Sequence, residues 1–207
     1  ESYRLEGQTF VIDDYDRKPA FSSFLPGLAG VKGIPLWTFY TNRGQGMNSF
    51  GIDNKGNAIM EFNSANTAFE NTQVKGFRTF LKIDGEYYEP FFTYEKEAKR
   101  QMRMNKNSFK IIETNEKYGI EVTVNYYVLP NESIGALVRQ VSVKNIGDSA
   151  KEVQVIDGLP KIITYGIANG EFKEMSNLFK SWADIRNLEN KVPYYTLRAS
   201  TKDSAEV

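Results

Sequence analysis

The residue types that could do acid–base or binding chemistry in this chain are few. Carboxylates are spread through apparent strands at Glu61, Glu113, Glu121 and Asp157. Cleavage of a glycosidic bond needs two carboxyls roughly 5 to 10 Å apart across a cleft. Sequence separation alone does not pair any of these, and carboxylates on strands mostly face water. Asp13-Asp14-Tyr15-Asp16 is a compact acidic cluster, but it lacks the glycine and the distal glutamate of a calcium loop and reads as a solvated turn. Asp53-Asn54-Lys55-Gly56-Asn57 puts a lysine where such a loop needs a ligand, so it reads as a hairpin turn. The chain has no histidine and no cysteine. Ser-His-Asp triads, Cys-His pairs and His-rich zinc sites are therefore excluded, and no disulfide is possible. Acid–base work would fall to carboxylates, Tyr or Lys.

The most suggestive segment is Leu36-Trp37-Thr38-Phe39-Tyr40-Thr41-Asn42-Arg43-Gly44-Gln45-Gly46. An aromatic strand runs into a loop that carries Asn, Arg and Gln among glycines. Aromatic rings suit sugar faces, and planar amide and guanidinium groups suit sugar hydroxyls. Gly44 and Gly46 would let backbone approach a ligand closely. Tyr40, Asn42, Arg43 and Gln45 are the candidate substrate-binding residues, with Arg43 expected to reach outward. The plain alternative is a strand with core aromatics and a tight turn. Asp157-Gly158-Leu159-Pro160-Lys161-Ile162-Ile163-Thr164-Tyr165-Gly166 reads as a strand that bends and leaves its sheet, because Gly and Pro interrupt it.

The elements that must position these residues read as strands. Ile120, Val122, Val124, Tyr126 and Val128 alternate with polar residues and Tyr127, which predicts a strand with one buried face. Further strands are expected at Gln8–Asp13, Leu36–Thr41, Met47–Ile52, Ala58–Phe62, Phe77–Ile83, Glu86–Phe92, Ser108–Thr114, Ile134–Ile146, Glu152–Ile156 and Tyr194–Ala199. Asp84-Gly85 is a two-residue hairpin signal. Phe172, Met175, Phe179 and Trp182 recur at helical spacing, so one helix is expected over Gly170–Ala183, capped by Asn169. The pattern predicts a mainly β fold, an antiparallel β-sandwich with that one short helix.

The 207 residues suit one domain, with 41% hydrophobic and 25% charged residues. Lys plus Arg and Asp plus Glu are each 26, so zero net charge favours neither nucleic acid nor an anionic membrane surface. No stretch approaches the roughly 20 apolar residues of a membrane span. The lack of cysteine fits a reducing, cytoplasmic compartment, although many bacterial secreted proteins lack it too. No cofactor or metal is expected. The chain stops after Tyr194–Ala199 in what reads as the middle of a sheet, so a truncated domain with an unpaired apolar edge is expected.

Four ordered segments carry a resemblance. Trp37–Gly51 (WTFYTNRGQGMNSFG), Ile59–Thr72 (IMEFNSANTAFENT), Gly76–Ile83 (GFRTFLKI) and Asp157–Gly166 (DGLPKIITYG) resemble the N-terminal domain of glycoside hydrolase family 94. The likeness is closest to the branch that acts on 1,2-β-oligoglucans. It implies a β-sandwich of the supersandwich, mutarotase-like type, followed in the whole protein by an (α/α)6 barrel that carries the catalytic Asp and the phosphate site. It implies an inverting reaction in which inorganic phosphate attacks a β-glucoside and α-glucose 1-phosphate is released. Its partners would be a β-glucan oligosaccharide, inorganic phosphate and a second copy in a homodimer. No catalytic residue carries over to a position here. The fragment alone would be inactive, and the loop Tyr40–Gln45 would lend residues to the rim of an active site. A stand-alone carbohydrate-binding module and a structural sandwich for protein contact are the competing readings.

Overall fold

A computed structural model of the chain describes residues 2–25, 27–52, 56, 63–92, 97–163 and 168–198. The expected strand Ala58–Phe62 with Glu61, most of the turn before it, Thr164–Gly166 and the expected edge beyond Arg198 lie outside them. In chain order the strands are β1 (Tyr3–Glu6), β2 (Thr9–Asp13), β3 (Ser22–Leu25), β4 (Leu28–Ala29), β5 (Ile34–Thr41) and β6 (Met47–Ile52). After α1 (Ala65–Lys75) come β7 (Arg78–Ile83), β8 (Glu86–Tyr88), β9 (Ala98–Met104), β10 (Ser108–Asn115), β11 (Ile120–Val128), β12 (Leu137–Asn145) and β13 (Val153–Gly158). Then α2 (Asn169–Met175) precedes β14 (Ala183–Arg186) and β15 (Tyr194–Leu197).

These strands form a six-stranded sheet, β1-β2-β9-β10-β11-β12, a three-stranded sheet, β13-β7-β8, a sheet of β3-β5-β4 with β6 also on β5, and the β14–β15 hairpin. Every pairing between these strands is antiparallel. Among the described residues the fold is mainly β, with several antiparallel sheets and two short α-helices. Among the described residues no sheet closes into a barrel or completes a sandwich.

Register explains the core. Ile12, Met102, Ile111 and Val124 stand opposite one another across β2, β9, β10 and β11, and all four are buried. Alternation sends their neighbours to the other face. Leu81, Ile83 and Tyr88 of the three-stranded sheet enter the same cluster, as does Tyr40 of β5. Full burial of one such aliphatic side chain contributes roughly 1.5–3 kcal/mol, so this strip holds the sheets on one core. Asp84 and Gly85 both have positive φ, 49° and 94°, as a two-residue hairpin turn between β7 and β8 requires. Gly147 lies in the turn after β12, and that turn carries the chain from the six-stranded sheet to β13 in the other sheet.

Three expectations are corrected. The single helix over Gly170–Ala183 is instead α2 followed by a 3-10 helix, Ser176–Ser181, and Ala183 already belongs to β14. Ser176 takes φ 47°, which breaks the helix, while Phe172 and Phe179 still meet edge to face at 5.3 Å. Asn169 is inside α2 and not its cap, and the Glu171 carboxylate accepts the Ala168 N–H at 3.3 Å. The strand expected over Glu86–Phe92 ends at Tyr88, because Pro90 has no N–H to continue a ladder.

Candidate functional site

The β5–β6 connection is a tight loop built on a register shift between Phe39 and Tyr40. Thr41 N–H donates to Gly46 O at 2.6 Å, and Gly46 N–H donates to Arg43 O at 2.9 Å. Gly44 and Gly46 have φ of 56° and 76°. A Cβ on Gly46 would sit 2.8 Å from the Phe109 ring, so this position requires glycine for space as well as for φ.

The structure brings the four sequence candidates into this one loop and turns most of their polar atoms inward. Tyr40 is 5% exposed, and its ring stacks on Phe109 at 4.2 Å with its hydroxyl 3.0 Å from Met104 Sδ. Burial pushes that hydroxyl above its ordinary range. Asn42 is fully buried. Its Nδ2 donates to the carbonyls of Tyr15 (2.9 Å), Pro19 (3.1 Å) and Lys18 (3.2 Å), and its Oδ1 accepts the Phe21 N–H at 3.0 Å. One amide thereby staples the 15–21 segment to the loop. Arg43 is half-buried and folds back along the chain. Its guanidinium donates to Asn42 O at 2.9 Å, lies 3.5 Å from Lys18 O, and sits 4.6 Å over the Phe69 ring of α1.

Gln45 is 3% exposed and opens onto a polar cluster. Its Nε2 donates to Thr79 Oγ1 at 2.8 Å, and Thr79 Oγ1 donates to Asp157 Oδ1 at 2.6 Å. Arg139 is the hub. It donates to the Asp157 carboxylate and to Gln45 Oε1, and at 3.2 Å and 3.1 Å to Thr79 Oγ1 and the Tyr126 hydroxyl. Its guanidinium also lies 4.9 Å over the Phe77 ring. Arg139 is 7% exposed by side chain, while Asp157 is 30% exposed, so the cluster opens to water at the carboxylate. Burial pushes the Tyr126 hydroxyl up to about 12 although Arg139 works against it.

A second polar cluster lies in the core. Arg100 of β9 donates from Nε to Glu113 Oε2 at 2.6 Å and from Nη1 to Asp16 Oδ2 at 2.7 Å. The Tyr88 hydroxyl donates to Glu113 Oε1, and the Phe91 N–H donates to Oε2 at 2.7 Å. Burial pushes the Glu113 carboxyl up to about 8, the Phe91 N–H working against it and the Asp16 carboxylate with it. Arg100 also opposes the shift, since a guanidinium at this distance favours the ionised form. Burial at 1% exposure and the Asp16 carboxylate favour the neutral form, while the three donors on its two oxygens, Arg100 Nε, the Phe91 N–H and the Tyr88 hydroxyl, favour the ionised one.

The remaining carboxylates separate. Glu121 lines a shallow depression of about 470 Å³ with Asp13, Asp14, Lys99, Gln101 and Thr114. Asp13 is bonded to Gln101 and Arg4, and Asp16 to Arg100, so the acidic cluster is divided between an ion-paired surface and the core. Among the described residues no three Asp or Glu groups converge as a metal site would need.

Sequence reasoning named Gln45 and weighed Asp157 but missed Arg139, Thr79, Arg100 and Tyr88. The signal was parity. Arg139 occupies an inward position of β12 between Leu137 and Val141, and Arg100 one of β9 between Ala98 and Met102. A charge at an inward position of an alternating strand must find partners inside. No protein-family model matches the chain, and no curated protein matches it.

Proposed function

We propose that this chain is the non-catalytic N-terminal domain of an inverting phosphorylase. The whole protein would cleave β-1,2-linked gluco-oligosaccharides with inorganic phosphate to give α-glucose 1-phosphate. On this reading the sheets belong to an antiparallel supersandwich, the protein is a cytoplasmic homodimer, and the loop Tyr40–Gln45 forms part of a substrate rim. One observation carries it. Three of the segments that resemble glycoside hydrolase family 94 contribute Gln45, Thr79 and Asp157 to the single cluster around Arg139, and the fourth contributes Thr72, bonded to Thr41 at 3.1 Å. Stretches far apart in sequence thus carry the likeness at one place in space. The part played by the loop is to present a pre-ordered backbone turn, since Asn42 and Gln45 direct their amides to the chain itself and the half-buried Arg43 lies on Asn42 O and the Phe69 ring.

Glucan binding by the purified chain separates this from the stand-alone binding module. The rim reading expects no saturable binding of β-1,2-gluco-oligosaccharides by the chain alone at millimolar concentration. A Kd in the micromolar range by calorimetry would instead establish a binding module, since that affinity needs about 8 kcal/mol from contacts within this chain.

A further inference from the structure

Arg139 touches three sheets at once. It stands on β12, at the edge of the six-stranded sheet, and reaches Thr79 on β7 and Asp157 on β13 in the three-stranded sheet. The same guanidinium reaches Gln45, in the connection between β5 and β6 of the third sheet, and the Tyr126 hydroxyl on β11. The edge strands β12 and β13 are thus joined by an ion pair, and the β5–β6 loop is tied into that pair. Packing alone does not call for a charge here. Leu137 and Val141 flank Arg139 on the inward face of β12, and the Phe77 and Tyr126 rings lie 4.9 and 5.8 Å from its guanidinium. A methionine would fill such a slot. It could not supply a planar fork that serves four acceptors in different directions, and neither could a lysine, a point charge on a flexible stem.

The loop has two anchors. At one end the Asn42 amide donates to the carbonyls of Tyr15, Lys18 and Pro19 and accepts the Phe21 N–H. At the other, Gln45 donates to Thr79 Oγ1 and accepts from Arg139. Among the described residues Arg139 alone donates to Gln45 Oε1, and Gln45 is 3% exposed. An amide oxygen orphaned at that depth is unfavourable, and its relief is to swing into water. The Arg43–Gly46 turn would move with it, because Gln45 lies inside the turn that the Gly46 N–H closes on Arg43 O. We propose that Arg139 is the positioning residue of the β5–β6 loop: through Gln45 it fixes the Arg43–Gly46 turn against the two sheet edges. On the phosphorylase reading, on which this consequence rests, that turn is the surface a β-glucan meets. Arg139 then sets glucan affinity without touching the sugar.

Amide hydrogen exchange on the 207-residue chain tests the tie itself. The reporters are the Gly46 amide, which donates to Arg43 O, and the Thr41 amide, which donates to Gly46 O. The control is the Phe21 amide, held by Asn42 Oδ1. In Arg139→Lys, which keeps the charge and loses the fork, protection of both reporters should fall by about tenfold. Phe21 and the amides of β10 and β11 should not change. Gln45→Met should give a fall of the same size. The double variant should fall no further than the larger single one, because the two residues act as a unit. Asp157→Asn lies at the solvent edge, keeps the side-chain shape and does not touch the loop. It weakens the hold on the guanidinium and should lower both reporters by about threefold, and it decides the matter if Arg139→Lys does not fold. Unchanged reporters, a fall shared equally by Phe21 and the β10 and β11 amides, or an additive double variant would overturn the proposal. In the complete product of the gene, Arg139→Lys should raise the KM for β-1,2-gluco-oligosaccharides by about tenfold and leave kcat and the KM for phosphate alone. A lower kcat with an unchanged KM would overturn the role in glucan affinity. Absence of phosphorolysis by the natural complete product would overturn the phosphorylase reading instead, and the exchange result on the chain would still decide the positioning role.

Discussion

At the scale of single residues, the β5–β6 loop is held by side chains that the sequence offers as ligand contacts. Asn42 makes three donor contacts and accepts one from a fully buried position. Asn42→Ala should cost about 2–4 kcal/mol in denaturant unfolding, since it strands several buried backbone groups at once. Asn42→Asp should cost more, because a carboxylate oxygen would face three carbonyls. Equal stability of all three proteins would show that the staple is dispensable. Arg43 was expected outward and is found against Asn42 O and the Phe69 ring. Arg43→Ala should therefore lower stability by about 1–2 kcal/mol, which is a Tm loss of several degrees for a chain of this size. An unchanged Tm would mean that the guanidinium is free for a ligand. The four candidates were legible as a loop because Asn, Arg and Gln among glycines must turn. Their inward aim was not, because hydrogen-bond partners such as Tyr15 O and Thr79 Oγ1 lie 27 and 34 positions away.

At the scale of elements, strand spans followed the alternation closely where one face is apolar, as in β10 and β11. Elements with compromised alternation escaped. β9, AKRQMRM, hides its inward face because Arg100 sits on it, and β1, β3, β4 and β14 are too short to show a period. α1 was missed because its buried residues are Ala68 and Thr72, small or polar side chains that give no apolar stripe. The loop that links β5 to β6 depends on Gly46, whose added Cβ would collide with Phe109 at φ 76°. Gly46→Ala should destabilise by about 2–4 kcal/mol, read by thermal or chemical unfolding, since overpacking and a left-handed alanine both count against it. A loss under 1 kcal/mol would place slack in the Tyr40–Phe109–Tyr126 stack.

At the scale of the whole molecule, β12 and β13 are sheet edges among the described residues, and β13 exposes both faces, with Val155 at 50% and Ile156 at 74%. Unpaired apolar edges template association. Light scattering should show concentration-dependent self-association of the chain, and Ile156→Lys should reduce it. A monomer at every concentration would mean that these edges are inert. Among the described residues no helix is long and apolar enough to cross a membrane. The proposed role is that of a domain serving a phosphorylase whose chemistry lies outside these 207 residues. Formation of α-glucose 1-phosphate from β-1,2-gluco-oligosaccharides and inorganic phosphate tests it most directly, measured side by side for the isolated chain and for the complete product of its gene. The expected result is phosphate-dependent release by the complete product and none above background by the isolated chain. Turnover by the isolated chain, or no phosphorolysis of any β-glucan by the complete product, would contradict it.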